Sequence, residues 1–213
     1  MRTSMDFQHI RDRLVTAALP HVVFDGWSVR ALAEAATEEG LDATLAERAF
    51  MGGPADAVEH FIGLADRLMA EDMAGTDLAA LRVPDRVFAI LDARFRRWAP
   101  HREAVRRALA LLALRPAVAA RATARTVDAV WALAGDRSHD FSWYTRRATL
   151  GAVYSATVLF WLEDESEDGE ETRAFLRRRL ADVGRVTGMR KRLQGWLGGV
   201  PNVAGAAARM RRG

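Results

Sequence analysis

Cysteine is absent from all 213 residues, which removes thiol nucleophiles, cysteine-ligated zinc and any disulfide framework, and fits a reducing compartment. No apolar run approaches the ~20 residues needed to span a bilayer, so the chain reads as soluble or peripheral. The N-terminus lacks the basic-then-apolar pattern of a secretory signal. It also lacks the acid-poor pattern of a transit peptide, since Asp6 and Asp12 come early. A bacterial cytoplasmic protein is the expectation. Lysine is nearly missing too: Lys191 stands alone among the 31 basic residues, which reflects a GC-rich coding sequence more than a mechanism.

The groups that chemistry needs are also sparse. His9, His21, His60, His101 and His139 lie scattered, none in a Glu-x-x-His or His-Glu-x-x-His arrangement. There is no Gly-x-x-x-x-Gly-Lys-Ser/Thr loop and no Gly-rich turn after a strand. The densest carboxylates, Glu163 to Glu171, occupy a link without apolar surroundings that could separate their pKa values into acid and base roles. No enzyme, metal site or catalytic cofactor is therefore expected.

What is present is helix. Apolar residues recur at three- and four-residue steps almost throughout, and β-branched alternation is missing, so the chain is expected to be all-α with about ten helices. Asp25-Gly26, Gly40-Leu41-Asp42, Gly52-Gly53-Pro54, Gly75-Thr76-Asp77, Pro100, Pro116 and Ala134-Gly135-Asp136 punctuate it. The eighth helix, from about Asp140 to Glu163, is apolar around most of its circumference, which suggests an element buried on several sides. Three regions are expected: 1–53, a helix-turn-helix-like module; 54–184, a helical bundle; and 185–213, a basic amphipathic tail.

Charge divides along the same lines. The tail carries seven basic residues and no acidic one, against +3 for the whole chain, which leaves −4 for everything before it. The first region has the layout of the TetR-type DNA-binding domain, with one long helix followed by a helix-turn-helix. Its motif, however, has Arg30 and Arg48 against Glu34, Glu38, Glu39, Asp42 and Glu47, a net charge of −3. Such a surface repels phosphates, so a retained scaffold is favoured and no nucleic acid is expected as partner. A ligand-responsive TetR-type transcriptional regulator is the alternative. In the tail, Met189, Leu193, Trp196 and Leu197 fall on one stripe beside Arg190, Lys191 and Arg192. That is the pattern of an in-plane membrane helix, and each basic residue near an anionic leaflet contributes roughly 1 kcal/mol.

Trp131, Trp143 and Tyr144 cluster with Asp140 and the Arg146-Arg147 pair around the turn before the eighth helix. Aromatics with arginine beside a turn compose interface hot spots. The run Val127-Asp128-Ala129-Val130-Trp131 to Asp136, then Asp140-Phe141-Ser142-Trp143-Tyr144-Thr145-Arg146-Arg147-Ala148, Tyr154-Ser155, Asp164-Glu165-Ser166 and Phe175-Leu176 resembles the family of the ninth coenzyme Q biosynthesis protein, COQ9. Weaker agreement extends to Ala17-Ala18-Leu19 and Gly26-Trp27. Three positions depart from the family pattern: His139 for Thr, Gly169 for Phe and Arg173 for Trp.

The resemblance implies a TetR-like fold that has abandoned DNA, a homodimer, and a non-catalytic accessory role in ubiquinone biosynthesis. It implies a deep pocket for an isoprenoid or acyl lipid, and a tenth helix that touches an anionic membrane surface, peripheral to the inner membrane. It also implies a docking surface for the di-iron demethoxyubiquinone hydroxylase or another hydroxylase of the pathway. Carried over, that surface is Val130, Trp131, Asp140, Trp143, Tyr144 and Arg147. Helical phase places the pocket among the sixth, seventh and eighth helices, lined by Leu112, Val127, Leu150, Val153, Tyr154, Thr157 and Trp161.

Overall fold

The computed structural model describes residues 2–136 and 142–198, with side chains over 7–136 and 143–185. Nine α-helices and three 3-10 turns make up the described residues, without strands. The helices are α1 (Arg2–Asp25), α2 (Val29–Glu38), α3 (Ala43–Ala49), α4 (Pro54–Met73), α5 (Val83–Trp98), α6 (Arg102–Ala113), α7 (Pro116–Leu133), α8 (Ser142–Glu163) and α9 (Glu170–Gly198). The all-α architecture is the one expected. The count falls short of ten because the expected ninth and tenth helices form one backbone helix, α9, with no break at Val183.

The helix boundaries follow local chemistry. Ser28 caps α2 by accepting from the Ala31 amide, and Asp42 caps α3 by accepting from the Thr44 amide. Between them Gly40 takes φ +69, the left-handed region that lets the chain reverse tightly. Pro54 and Pro116 each open a helix, where the missing amide hydrogen costs nothing.

The entry to α9 is held by one carboxylate. Asp164 is buried and accepts from the amides and hydroxyls of both Ser166 and Thr172. Burial works to raise its pKa, but those hydrogen bonds outweigh it and hold the carboxyl down at about 2. In the turn that follows, Asp168 and Gly169 both have positive φ, +52 and +68. Glycine thus suits position 169. Arg173 reaches the buried carboxylate of Asp92, Nε to Oδ1 3.3 Å.

One core runs from Leu14 in α1 to Leu176 in α9. The N-terminal module joins the bundle through aromatic packing. The buried Trp27 donates its indole N–H to the Ala104 carbonyl at 3.0 Å, and its ring lies 5.2 Å from Phe61, which stands 4.8 Å from Trp98. Asp12 of α1 meets His60 at 2.7 Å and Arg67, both on α4.

The α8 helix is buried on several sides, as expected, but not around the whole of its apolar circumference. It packs against α6, α7 and α9 and buries Leu150, Val153, Thr157, Val158, Trp161 and Leu162. Its other face, Ala148, Ala152, Ser155, Ala156 and Leu159, is exposed. The open side looks apolar in sequence because it is mostly alanine, and no described helix covers it.

Candidate functional site

Between α4, α5, α6, α7 and α8 lies a partly open cavity of about 210 Å³. Its walls are almost wholly apolar. Phe61, Phe95, Trp98, Leu109, Leu112 and Trp161 supply most of the surface. The rim carries the exposed Leu159 and Ser155. For scale, an engineered dry cavity of about 150 Å³ accepts benzene, so this one has room for a substituted ring or a short branched hydrocarbon.

Of the expected lining residues, Leu112, Tyr154 and Trp161 stand on the cavity wall. Val127, Leu150, Val153 and Thr157 do not. They are buried, Val127 beneath a separate groove between α7 and α8, and the Thr157 hydroxyl is spent on the Val153 carbonyl at 2.7 Å. The physical reason is phase: one residue along a helix turns the side chain by about 100°. Tyr154, Val158 and Trp161 therefore face the cavity while Val153 and Thr157 face neighbouring helices. The sequence reading also omitted α4 and α5 from the walls.

At the cavity's polar end sits a cluster that the sequence reading missed. Arg94, 6 % exposed, donates from Nη1 to Asp66 Oδ1 at 2.7 Å and from Nε to the Tyr154 hydroxyl at 3.2 Å. Thr126 also donates to Asp66 Oδ1, at 2.9 Å. Burial raises the Asp66 carboxyl pKa, against the pull of Arg94. Burial also opposes the Arg94 charge, but Tyr154 and Asp66 more than offset it and its pKa is raised. Arg94, Thr126 and Tyr154 all line the cavity. A signal was available: Asp66 and Arg94 fall among Leu64, Ala65 and Met69 and among Ile90, Leu91 and Phe95, on the buried faces of their helices.

The second feature is the corner at the start of α8. The Arg147 guanidinium lies 3.8 Å from the centroid of Trp143, and Trp143 meets Tyr144 edge-on at 4.7 Å. Arg147 also donates to Asp128 at 2.6 Å, and Tyr144 is 69 % exposed. A groove continues from this corner between α7 and α8, floored by Ala120, Ala124, Ala148, Gly151 and Ala152. Val130 and Trp131, expected on the docking surface, are buried in the core instead. The apolar phase of α7 turns them inward, towards the bundle. Asp140 lies outside the described residues, as do the side chains of Met189, Arg190, Lys191, Arg192, Leu193, Trp196 and Leu197, although the α9 backbone is helical through them. Among the described residues, no group of three or more His, Asp or Glu could hold a metal ion. None of the described helices is long and apolar enough to cross a membrane.

Residues 117–187, which supply both α7 and the α8 corner, match the model of the COQ9 family. The human mitochondrial ubiquinone biosynthesis protein COQ9 is 34 % identical over 185 residues, covering 83 % of this chain and 58 % of that protein. The Drosophila melanogaster protein of the same name is 32 % identical over 193 residues, 87 % of this chain and 59 % of its own. The chain belongs to the COQ9 family. It spans a little under three fifths of the length of these curated relatives. A TetR transcriptional regulator from Nitrosomonas europaea superposes with a TM-score of 0.65 at 21 % identity, covering 81 % of this chain and 96 % of that one. The fold of this family member is thus TetR-like.

Proposed function

We propose that this chain is a non-catalytic lipid-binding accessory protein of ubiquinone biosynthesis. It takes part of an isoprenoid lipid into the cavity and presents a polyprenylated quinone intermediate to a partner hydroxylase at a membrane surface. The observation that carries this reading is the apolar cavity under α8, open at the Ser155 and Leu159 rim. Membership of a family whose curated relatives are named for ubiquinone biosynthesis supplies the pathway. The Trp143, Tyr144 and Arg147 corner is the docking point for the hydroxylase. The basic stripe from Met189 to Leu197 is the membrane contact, and the active form is a homodimer.

Charge placement supports a function away from DNA. Arg30 of the helix-turn-helix is held 2.9 Å from Glu34, while His21 and Arg13 engage Glu34, Glu38 and Glu39. A repressor needs basic groups there to neutralise phosphates. Because the fold is that of TetR regulators, the regulator reading keeps its own test. Retention of the purified chain on sheared DNA at low salt would revive it.

Organic extraction of the gently purified protein tests the main reading. A prenyl or acyl lipid in the extract is expected, and a protein free of lipid under those conditions contradicts it. Trp143→Lys is expected to leave helicity intact and abolish co-purification with the hydroxylase; unchanged capture removes the docking assignment. Truncation after Val183 is expected to lower liposome flotation, and an unaffected variant would leave the membrane role without a basis.

A further inference from the structure

The turn between α6 and α7 holds side chains that water alone serves poorly. Leu114 is 85 % exposed, and the residues from Ala113 to Ala117 are exposed without a break. From Ala110 to Ala124 every exposed side chain is either apolar or an arginine. Acidic residues avoid the segment: five arginines and no carboxylate lie between Glu103 and Asp128. Three of those arginines are matched from outside it, Arg106 by Glu103 and Glu163, Arg107 by Glu103, and Arg125 by Glu59. Arg115 and Arg121 are exposed, and neither pairs with a carboxylate among the described residues.

An anionic bilayer suits both kinds of side chain at once. It places phosphate at the level of an arginine head and hydrocarbon just beneath, so an apolar tip sinks while the neighbouring guanidiniums stay in the headgroup layer. The backbone of the turn fits the same surroundings. Amides that meet lipid without a partner are costly, but those of Leu114, Arg115, Val118 and Ala119 all donate within the turn, and Pro116 has none to satisfy. A protein partner fits less well. A stable interface needs roughly 800 Å² from each side, and this tip is one turn of chain with Leu114 as its large exposed apolar side chain.

We propose that the α6–α7 turn is a second membrane contact, on the body of the molecule: Leu114 enters the interface of an anionic bilayer, and Arg115 and Arg121 hold lipid phosphates beside it. Leu112 just before the tip and Ala119 just after it line the apolar cavity, so the same contact brings the cavity wall towards the lipid. This rests on the chain meeting a membrane, as in the function proposed above, and is independent of what the tail contributes.

The lack of cysteine gives the test a single labelling site, because Leu114→Cys alone takes an environment-sensitive fluorophore such as NBD. The labelled full chain is mixed with vesicles of equimolar phosphatidylcholine and phosphatidylglycerol. Met51→Cys, labelled alike at a site 90 % exposed on the helix-turn-helix module, is the control. The expected result is a blue-shifted emission at position 114 that doxyl-labelled lipids quench, with no shift at position 51. In the unlabelled chain, Arg115→Ser combined with Arg121→Ser is expected to weaken partition into these vesicles about tenfold or more and to leave helicity unchanged. Emission typical of water at position 114, on chain that floats with the vesicles, overturns this inference and leaves the tail contact standing. So does partition unchanged by the double substitution. A shift that doxyl lipids do not quench, or one that sheared DNA produces equally, also overturns it, since these mark a protein or another polyanion as the occupant. If the chain does not float with the vesicles at all, the membrane reading fails and takes this inference with it.

Discussion

Two parts of the molecule combine an arginine, an aspartate and an aromatic ring in different surroundings. Under α8, Arg94 is bonded to Asp66 and Tyr154, and both members of its ion pair are almost out of water. At the start of α8, Arg147 covers Trp143 and pairs with Asp128, whose carboxylate is 53 % exposed. In the first, low dielectric makes every bond strong and every missing partner costly. In the second, Arg147 is itself largely buried and also lies 3.5 Å from the largely buried Asp136 carboxylate, but its Asp128 partner stands in water, which screens that pair, and the Tyr144 ring beside it is exposed. The same chemistry thus supplies a fixed polar end to a cavity in one place and, in the function proposed above, a surface for the hydroxylase in the other.

The contrast is sharpest in its consequences for stability. Arg94→Met leaves the Asp66 carboxylate buried without its partner and is expected to cost about 3–5 kcal/mol, read as a lowered midpoint in urea. Adding Asp66→Leu should restore much of that loss, because the penalty is the orphaned charge rather than the absent bond. A small effect of Arg94→Met alone would mean that water reaches the cluster.

An intermediate case is Asp164, buried like Asp66 but satisfied by neutral donors. Asp164→Ala is expected to cost about 1–2 kcal/mol through loss of the α9 entry. The folded pKa of about 2 lies below the ordinary value of 3.8. The stabilisation is therefore fully present above about pH 4 and is lost as pH falls through 2. Chemical denaturation of both proteins across that window checks the sign. A difference that grows in acid contradicts it.

The smallest effect belongs to Arg147. Arg147→Ala is expected to cost about 1 kcal/mol, because the side chain is largely buried against Trp143 while its Asp128 partner is in water, and to weaken hydroxylase capture. A large loss of stability with normal capture would make the corner a structural brace and erase the contrast with Arg94.

How much of this was legible in sequence depended on whether one helix or several had to be read together. Caps at Ser28 and Asp42, the glycine turn at Gly40 and the prolines at 54 and 116 act within a few residues, and those helix boundaries lie where their chemistry puts them. Leu112, Tyr154 and Trp161 reach the cavity wall because large residues recur there at helical spacing. Val127, Leu150, Val153 and Thr157 are as apolar or nearly so. Only the packing of α8 against its neighbours decides that they close the core instead. Arg94, Asp66 and Thr126 come from three helices, so nothing local announces that they meet. Val130 and Trp131 belong to a recognisable motif, yet a motif does not say which of its residues face outward.

The central claim is that the space under α8 holds a ligand, and native mass spectrometry of the gently purified chain tests it most directly when paired with Ala122→Phe. Ala122 is a buried wall residue of the cavity, and the larger ring would occupy its volume. The account predicts a dimer carrying a lipid-sized adduct in the native protein and a folded variant that has lost it. Equal adducts in both proteins, or none in either, would contradict it.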